Sequence, residues 1–475
     1  MLFNSLSFAV FLPLVFSLYW LCRDNLKAQN LLLLVASYVF YGWWDWRFLG
    51  LIAGCSLVNF LCGRQIATHA GRGGRKALLW VACVASLGTL GVFKYFNFFA
   101  ENVAFAFGLV GIEVPPVILR VALPVGISFF TFQALSYTID VYFGRLKPAG
   151  GWVEFFAFIA FFPQLVAGPI ERAGNLLPQF SRPRRFDFDI AADGVCLMAF
   201  GLFKKMVVAD TLSQYVDQTW KNMELYGGAA CLLAALFFAI QIYCDFSGYS
   251  DFARGVARLF GFELMRNFDS PYLSASFSEF WRRWHISLST WFRDYVYIPL
   301  GGSRVSAPLL VRNIWAVFLL SGLWHGAGWA FVAWGALHAL YLTFGVIGRK
   351  IFPRPAETAH SGVFPRLASV LAVDAGVVFA WIFFRAGSIG GAFAFLKTML
   401  TPGWNMSLMA WCAGLGPVKF AFCLIVCALF LACAFCPRDC KFASTRSKFS
   451  FSVLCCAAIV FLGMPSGGEF IYFKF

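Results

Sequence analysis

Apolar stretches and short polar loops alternate along the whole chain. A helix that crosses the hydrocarbon core of a membrane needs about 20 mostly apolar residues, and many of the stretches approach that length. They lie at 5–22, 28–44, 48–66, 77–99, 119–142, 152–170, 190–215, 229–262, 308–323, 326–348, 367–385, 417–436 and 449–464. The pattern predicts an all-α polytopic membrane protein with about 9–12 transmembrane helices.

The stretch at 152–170 differs from the others because helix breakers interrupt it. Pro163 and Pro169 lie inside it. Irregular backbone at membrane depth is stable only inside protein or beside a water-filled cavity. We therefore expect a re-entrant segment here, with residues 163–172 lining a cavity.

The composition narrows the class of protein further. Of 475 residues, 60% are apolar, 19% are aromatic and only 13% are charged. These values exclude a disordered chain, a nucleic-acid-binding domain and an ordinary cytosolic enzyme. The net charge of +15 does not indicate nucleic acid, because the basic residues fall in short loops. Such loops orient membrane proteins, and they can attract an anionic ligand at the inner face.

The basic loops also predict which end of each helix faces the cytoplasm. Loops 64–76 and 438–448 are rich in Lys and Arg, so we expect both inside. Counting spans from them puts Met1 and Phe475 outside. The first apolar stretch resembles a signal peptide but lacks a basic leader and a small-residue cleavage site, so we expect a retained helix.

Fifteen cysteines are scattered along the chain, most of them within apolar stretches. There they act as small hydrophobic residues. Cys433 and Cys436 form a C-x-x-C pair, which leaves a metal or redox site open. No second cysteine pair or histidine completes a ligand set, so we favour helix packing and expect no metal.

Two carboxylates, Asp245 and Asp251, directly follow the apolar run 229–240. An acid at bilayer depth costs roughly 2.5–3.5 kcal/mol even on a mild insertion scale. Carboxylates at this depth therefore need a counter-ion or a functional role. Either they pair with Arg254 or Arg258 and only hold the fold, or they line a substrate path.

An aromatic segment at 279–297 is too polar to cross a membrane. Its large side chains recur at helical spacing, at Trp281, Trp284, His285, Leu288, Trp291 and Phe292. We expect one helix, capped by Ser276 or Ser278, that lies at an interface or enters a cavity.

His325 lies between two long apolar stretches and is flanked by Gly322 and Gly326, which allow close backbone approach. Of five histidines in the chain, it has the most enclosed context, with His285 and His338 next. A lone buried histidine usually makes a structural hydrogen bond, but a second histidine and nearby tryptophans favour chemistry. The sequence carries no hydrolase, P-loop, dinucleotide or zinc-protease motif. His325 is therefore a candidate general base for a hydroxyl or thiol of the substrate.

Several segments together resemble one known family, the membrane-bound O-acyltransferases, in its bacterial alginate O-acetylation branch. The resembling segments are 32–41, 123–129, 136–142, 167–169, 243–251, 281–291 and 322–326. The resemblance implies a helical core around a central tunnel that joins the cytoplasmic and outer faces. It also implies that His325 is the deep catalytic histidine and His285 the second one. We expect the tunnel to be lined by Trp281, Trp284, Trp324, Asp245 and Asp251.

The domain organisation that this resemblance implies is a single membrane domain over residues 1–475. N-terminal helices occupy 1–150, the catalytic core 151–348, and C-terminal helices with an outer-face tail 349–475. The expected location is the bacterial cytoplasmic (inner) membrane, in contact with lipid.

The expected function is transfer of acetyl from cytoplasmic acetyl-CoA across the membrane, for O-acetylation of an exported, alginate-like polysaccharide. Acetyl-CoA serves as donor without a bound cofactor, and an outer-face (periplasmic) acetyltransferase partner finishes the transfer. Peptidoglycan O-acetylation and D-alanyl transfer to teichoic acid remain alternatives. A transporter of an acylated carrier would predict internal repeats, which the sequence lacks.

Two further sets of residues are candidates for handling donor and acyl group. Arg282, Arg283 and Arg304 can bind the donor, or equally contact phospholipid or carboxylates. The aromatic C-terminal tail at 470–475 resembles the C-terminus of the small partner in the D-alanylation system. This resemblance makes Tyr472 a candidate acyl acceptor. A phenol with a pKa of about 10 needs a base such as His325 to attack at neutral pH. The alternative is an interfacial aromatic anchor.

Overall fold

The structure is a computed structural model that describes residues 1, 3–68, 71–166, 168–351, 362–401, 417–433, 444–464 and 470–471. Within those ranges it is helical and contains no β-strand. The predicted all-α class is therefore confirmed.

Helices dominate the described parts of the chain. They are α1 (Leu6–Leu21), α2 (Leu26–Gly42), α3 (Leu49–Thr68), α4 (Arg72–Leu90), α5 (Phe96–Leu109), α6 (Ile127–Tyr142), α7 (Trp152–Ala160), α8 (Ala173–Phe180), α9 (Phe188–Leu202), α10 (Asp210–Lys221), α11 (Met223–Leu259), α12 (Phe277–Arg283), α13 (Ile286–Phe292), α14 (Ala307–His325), α15 (Trp329–Ile351), α16 (Val363–Arg385), α17 (Ile389–Leu400), α18 (Pro417–Cys433) and α19 (Thr445–Leu462). Short π-helical segments occur at Gly91–Tyr95, Phe203–Ala209 and Arg293–Tyr297.

Seven helices in the described part of the chain are long and apolar enough to cross a membrane. They are Trp46–Thr68, Arg72–Leu109, Met223–Leu259, Ala307–His325, Trp329–Gly348, Val363–Arg385 and Thr445–Leu462. Shorter apolar helices lie at Leu6–Leu21, Ile389–Leu400 and Phe420–Leu431. The chain is thus a multi-pass membrane protein, as the alternation of apolar and polar stretches predicted.

The chain forms two compact units, the first of which comprises Met1–Met198, Ser250–Met265 and Lys441–Phe449. A buried polar cluster joins three of its helices. Asn59 on α3 donates to Ser86 Oγ on α4 at 2.9 Å, and Thr138 Oγ1 on α6 donates to Asn59 Oδ1 at 2.7 Å. Because these polar groups satisfy one another away from water, they fix the relative positions of the three helices.

Irregular backbone in the first unit follows α7, which ends at Ala160. Gln164 lies in this buried segment, and its amide donates to Gln133 Oε1 at 2.8 Å. The main-chain N–H of Gly168 donates to the Gln164 carbonyl at 2.8 Å. The irregular backbone that the prolines predicted is thus present, and at least the Gly168 N–H is satisfied within the protein. The re-entrant path and the cavity stay predictions.

The second unit comprises Ala199–Tyr249, Arg266–Cys440 and Ser450–Phe475. Helices α14 and α15 form a tight hairpin in it. A Cβ added to Gly322 would overlap the main-chain carbonyl of Phe331, and one added to Gly335 would overlap that of Phe318. Glycine at these two positions therefore permits the close approach of the helices, which confirms the expectation for Gly322.

Candidate active site

The segment that carries His285 is two short helices rather than the single helix that the aromatic spacing predicted. Helix α12 begins at the cap Ser276, whose Oγ accepts from the Glu279 N–H at 3.2 Å. It ends at Arg283, and α13 begins at Ile286. Between them His285 has φ 43° and ψ 54°, in the left-handed region.

Asn267 explains why the helix breaks at this point. Its carbonyl accepts from the Ile286 N–H at 2.9 Å, and its side-chain oxygen accepts from the Ser287 N–H at 3.2 Å and the Ser287 hydroxyl at 2.6 Å. These bonds replace those that a continuous helix would form there. They stabilise a left-handed residue, a conformation that costs about 1–2 kcal/mol for a residue other than glycine.

The imidazole of His285 is fully buried. Its ring packs edge-on against Phe246, with ring centroids 4.6 Å apart. His285 lies outside the seven long apolar helices, and burial lowers its pKa to about 3. The imidazole is therefore neutral at physiological pH, so it can donate and accept hydrogen bonds but is a weak base.

Replacing His285 with glutamine is expected to make the folded protein less sensitive to acid. The pKa of His285 in the folded chain is about 3, below the value of about 6.5 in an unfolded chain. Between these values the unfolded chain binds a proton that the folded chain excludes, so stability falls as the pH drops. The midpoint of thermal unfolding in detergent, measured between about pH 7 and pH 4, should depend less steeply on pH in His285→Gln. The control is His69→Gln, in the basic segment 64–76 of the sequence. A slope in His285→Gln equal to that of the wild type and of His69→Gln would contradict a neutral buried imidazole.

His325 is the last residue of α14, and aromatic rings surround it. Its ring centroid lies 5.0 Å from those of Trp324 and Trp334 and 5.3 Å from that of Phe384. The centroid of His285 is 6.3 Å away. The structure thus brings the two predicted histidines together in one buried aromatic enclosure.

The predicted tryptophans occupy different positions around this enclosure. Trp324 contacts both imidazoles, since its ring centroid is also 5.9 Å from that of His285. Trp281 lies 5.8 Å from Trp334, which in turn contacts His325. Trp284 packs on Trp381 at 5.0 Å. Trp324 is therefore part of the enclosure, and Trp281 and Trp284 support its neighbours.

His338 adds a third imidazole that the sequence singled out without giving it a role. It is fully buried, and its Nδ1 accepts a hydrogen bond from Trp281 Nε1 at 3.3 Å. An accepting Nδ1 requires the neutral tautomer with the proton on Nε2. The ring centroid of Trp334 lies 5.1 Å from that of His338, and the ring also contacts His325. His338 therefore packs against a tryptophan that borders His325.

Asp245 and Asp251 differ from each other in their partners. Asp245 pairs with Lys205, whose Nζ lies 2.6 Å from its Oδ1, and not with Arg254 or Arg258, which was one of the two interpretations that the sequence left open. Asp251 belongs to the first unit, where Arg254 Nη1 lies 3.6 Å from its carboxylate. The lysine at 205 within the predicted apolar stretch 190–215 was the signal that could have identified the partner of Asp245, since a lysine at that depth needs a counter-ion.

The three candidate donor-binding arginines are not equivalent. Arg283 donates to Glu279 Oε1 at 2.6 Å and to the Asp269 carbonyl at 3.2 Å, so the fold already engages it. Arg282 and Arg304 are exposed.

Two other predictions concern residues that the structure does not describe. They are the acyl-acceptor role of Tyr472 and the C-x-x-C pair that includes Cys436. Among the residues that are described, no group of His, Cys, Asp or Glu side chains is arranged to hold a metal ion.

Comparison with known proteins identifies the class of enzyme. Residues 120–382 match the membrane-bound O-acyltransferase family. The chain is 40% identical over 412 residues to a probable alginate O-acetylase of Pseudomonas aeruginosa, which covers 86% of this chain and 76% of that protein. It is 32% identical over 430 residues to a peptidoglycan O-acetyltransferase of Helicobacter pylori, which covers 84% of this chain and 80% of that protein. It is 29% identical over 227 residues to a teichoic acid D-alanyltransferase of Bacillus subtilis. The matched region covers 46% of this chain and 58% of that protein.

The chain belongs to the membrane-bound O-acyltransferase family. It is therefore an O-acyltransferase with several membrane-spanning helices. This confirms the family that the motifs resembled and sets aside the transporter alternative.

Proposed function

We propose that the chain takes acetyl from acetyl-CoA at the cytoplasmic face of the bacterial inner membrane and passes it outward, for O-acetylation of an exported alginate-like polysaccharide. The observation that carries the proposal is the enclosure in which His285 and His325 lie with ring centroids 6.3 Å apart. The similarity to a probable alginate O-acetylase over most of the chain supports the acetyl group and the class of acceptor. Residues 151–348 form the proposed catalytic core.

His325 is the proposed general base. Its Nε2 or Nδ1 takes the proton of an acceptor hydroxyl while that oxygen attacks the thioester carbonyl of acetyl-CoA. The tetrahedral intermediate then collapses, the carbon–sulfur bond breaks, and the imidazolium returns the proton to the departing thiolate. Because the same imidazole accepts the proton and then returns it, the reaction needs no external acid.

His285 has a different part in this proposal, because a pKa of about 3 makes it a poor base at neutral pH. As a neutral imidazole it orients the acceptor or the thioester by hydrogen bonding. The rings of Trp324 and Phe246 beside it keep the site apolar. Exclusion of water protects the thioester from hydrolysis while it waits for the acceptor.

The donor is proposed to reach the site from the inner face. The phosphates of acetyl-CoA are anionic, and its pantetheine arm is extended. Exposed cations near the entrance therefore favour binding of the phosphates. Arg282 and Arg304 are the better candidates, since Arg283 is held by Glu279. Phospholipid headgroups are the competing ligands for the same two arginines.

The first acceptor is proposed to be Tyr472. Its phenolate oxygen forms the new ester bond, aided by His325, and the aryl ester then acylates an outer-face acetyltransferase partner that modifies the polymer. Support comes from Phe470 and Ile471, which are buried two and one residues before it. The alternative is that Tyr472 only anchors the tail at the membrane interface.

Replacing Tyr472 with phenylalanine should abolish polymer acetylation, since the variant keeps the ring and loses only the attacking oxygen. Acetyl esters on the secreted polysaccharide measure the effect. Tyr226→Phe is the control, because it removes a phenol that hydrogen-bonds only Gln218 among described side chains. Wild-type acetylation in Tyr472→Phe would make Tyr472 an anchor and end the relay hypothesis.

Peptidoglycan is the second candidate acceptor, favoured by the similarity to the peptidoglycan O-acetyltransferase over 84% of this chain. The two candidates share the donor, the histidines and the direction of transfer. Counting O-acetyl groups on secreted polysaccharide and on purified cell wall, with and without the gene, separates them.

A further inference from the structure

A buried charged network lies beside the aromatic enclosure in the second unit. Lys205 Nζ lies 2.6 Å from Asp245 Oδ1 and 2.8 Å from Asp210 Oδ1. One ammonium is thus shared between two carboxylates, all three with side chains at most 11% exposed. A buried carboxylate such as Asp245 is stabilised by charge-assisted hydrogen bonds to both of its oxygens.

The additional donor is a main-chain N–H of residues 470–471, here called the C-terminal segment. The N–H of Ile471 donates to Asp245 Oδ2 at 2.8 Å, in a fully buried hydrogen bond between residues 226 positions apart. Asp245 therefore uses one oxygen for the lysine and the other for the segment. Recognition through a main-chain N–H fixes the path of the backbone without depending on the side chain at 471.

Aromatic packing holds the same segment one residue earlier. The ring of Phe470 lies 4.7 Å from that of Tyr249 and 5.9 Å from that of Phe246. Phe246 in turn packs on His285 at 4.6 Å. A single aromatic ring thus separates the C-terminal segment from the second histidine of the site.

We propose that Asp245 is the seat of the C-terminal segment, a positioning residue that holds the backbone at 471 beside the active site. Lys205, itself held by Asp210, orients the Asp245 carboxylate, and Phe470 packs the segment against Tyr249 and Phe246. The seat stands on these contacts alone. Its consequence for acetyl transfer rests on the proposed function, because Tyr472 is bonded directly to the backbone at 471.

Hydrogen exchange of the full-length protein in detergent tests the seat directly. In Asp245→Asn the amide cannot serve both Lys205 and the Ile471 N–H as the carboxylate does. The C-terminal peptide that contains Ile471 should then exchange at least about fivefold faster than in the wild type, the factor expected for loss of one hydrogen bond. Glu224→Gln removes an exposed carboxylate from the N-terminal end of α11, before the break at Gly227, and should leave that peptide unchanged. Equal exchange in Asp245→Asn and the wild type would overturn the seat.

A second variant keeps the test decisive if the first does not fold. Ile471→Pro removes the N–H donor and leaves the buried charges intact. The remaining amides of the C-terminal peptide should exchange faster than in Ile471→Val, which keeps the donor. Equal exchange in these two variants would also overturn the seat.

Kinetics then separate the seat from the function of the segment. If the segment delivers the acceptor, Asp245→Asn should lower kcat for acetyl transfer by about tenfold or more and leave the KM for acetyl-CoA unchanged, because a misplaced acceptor weakens the reactive geometry and not donor binding. Faster exchange with a normal kcat would keep the seat and contradict the acceptor role of Tyr472.

Discussion

Replacing His325 with alanine should lower the rate of acetyl transfer by about 10²–10⁴-fold, the contribution of a well-placed general base. No other imidazole in the described enclosure can take its place. His285 is neutral with a pKa of about 3, and the Nδ1 of His338 is occupied by Trp281. The rate at which purified protein releases thiol from acetyl-CoA in a single turnover measures the loss.

The control for this variant is His69→Ala, at a position that the sequence places in a basic loop. Membrane yield and elution as a single species in detergent show that both variants are folded. Consumption of acetyl-CoA at the wild-type rate in folded His325→Ala would remove the general base from the mechanism.

Replacing Gly322 with alanine should both destabilise the protein and slow the reaction. The new Cβ would overlap the Phe331 carbonyl, so α14 and α15 must move apart. Overpacking of this kind costs about 1–3 kcal/mol. The shift would also displace His325, which lies one helical turn further along α14, and a misplaced catalytic group loses its effective concentration. Thermal inactivation in detergent and acetyl-CoA consumption measure the two effects.

Gly345→Ala provides the matched control on α15. A Cβ at Gly345 meets no atom within 4 Å, and alanine within a helix is favoured over glycine by about 0.5–1 kcal/mol. This variant should therefore be as stable as the wild type or more so, with normal turnover. If Gly322→Ala behaves in the same way, the close approach of the two helices is not needed for the site.

The parts of the site that the sequence could predict are those encoded locally. The buried position of His325 was predictable because its glycines and long apolar flanks lie next to it in the chain. The cap at Ser276 was identifiable because a capping serine precedes its helix directly. In both cases neighbouring residues determine the geometry.

The parts that it could not predict depend on residues far apart in the chain. The break at His285 is stabilised by Asn267 through hydrogen bonds to Ile286 and Ser287, and helical spacing alone contains no trace of them. Asp245 pairs with Lys205 rather than with an arginine on its own helix. Side-chain periodicity gives the face of a helix but not the partner that packs on it.

The most direct test of the central claim uses sealed proteoliposomes with radiolabelled acetyl-CoA on the side of the basic loop 64–76. The polysaccharide and the outer-face acetyltransferase partner are supplied on the opposite side. The expected result is labelled acetyl esters on the polymer with the wild-type chain and a loss of about 10²-fold or more with His325→Ala. Equal labelling of the polymer by the wild type and His325→Ala, or no labelling while the wild type consumes acetyl-CoA, would contradict it.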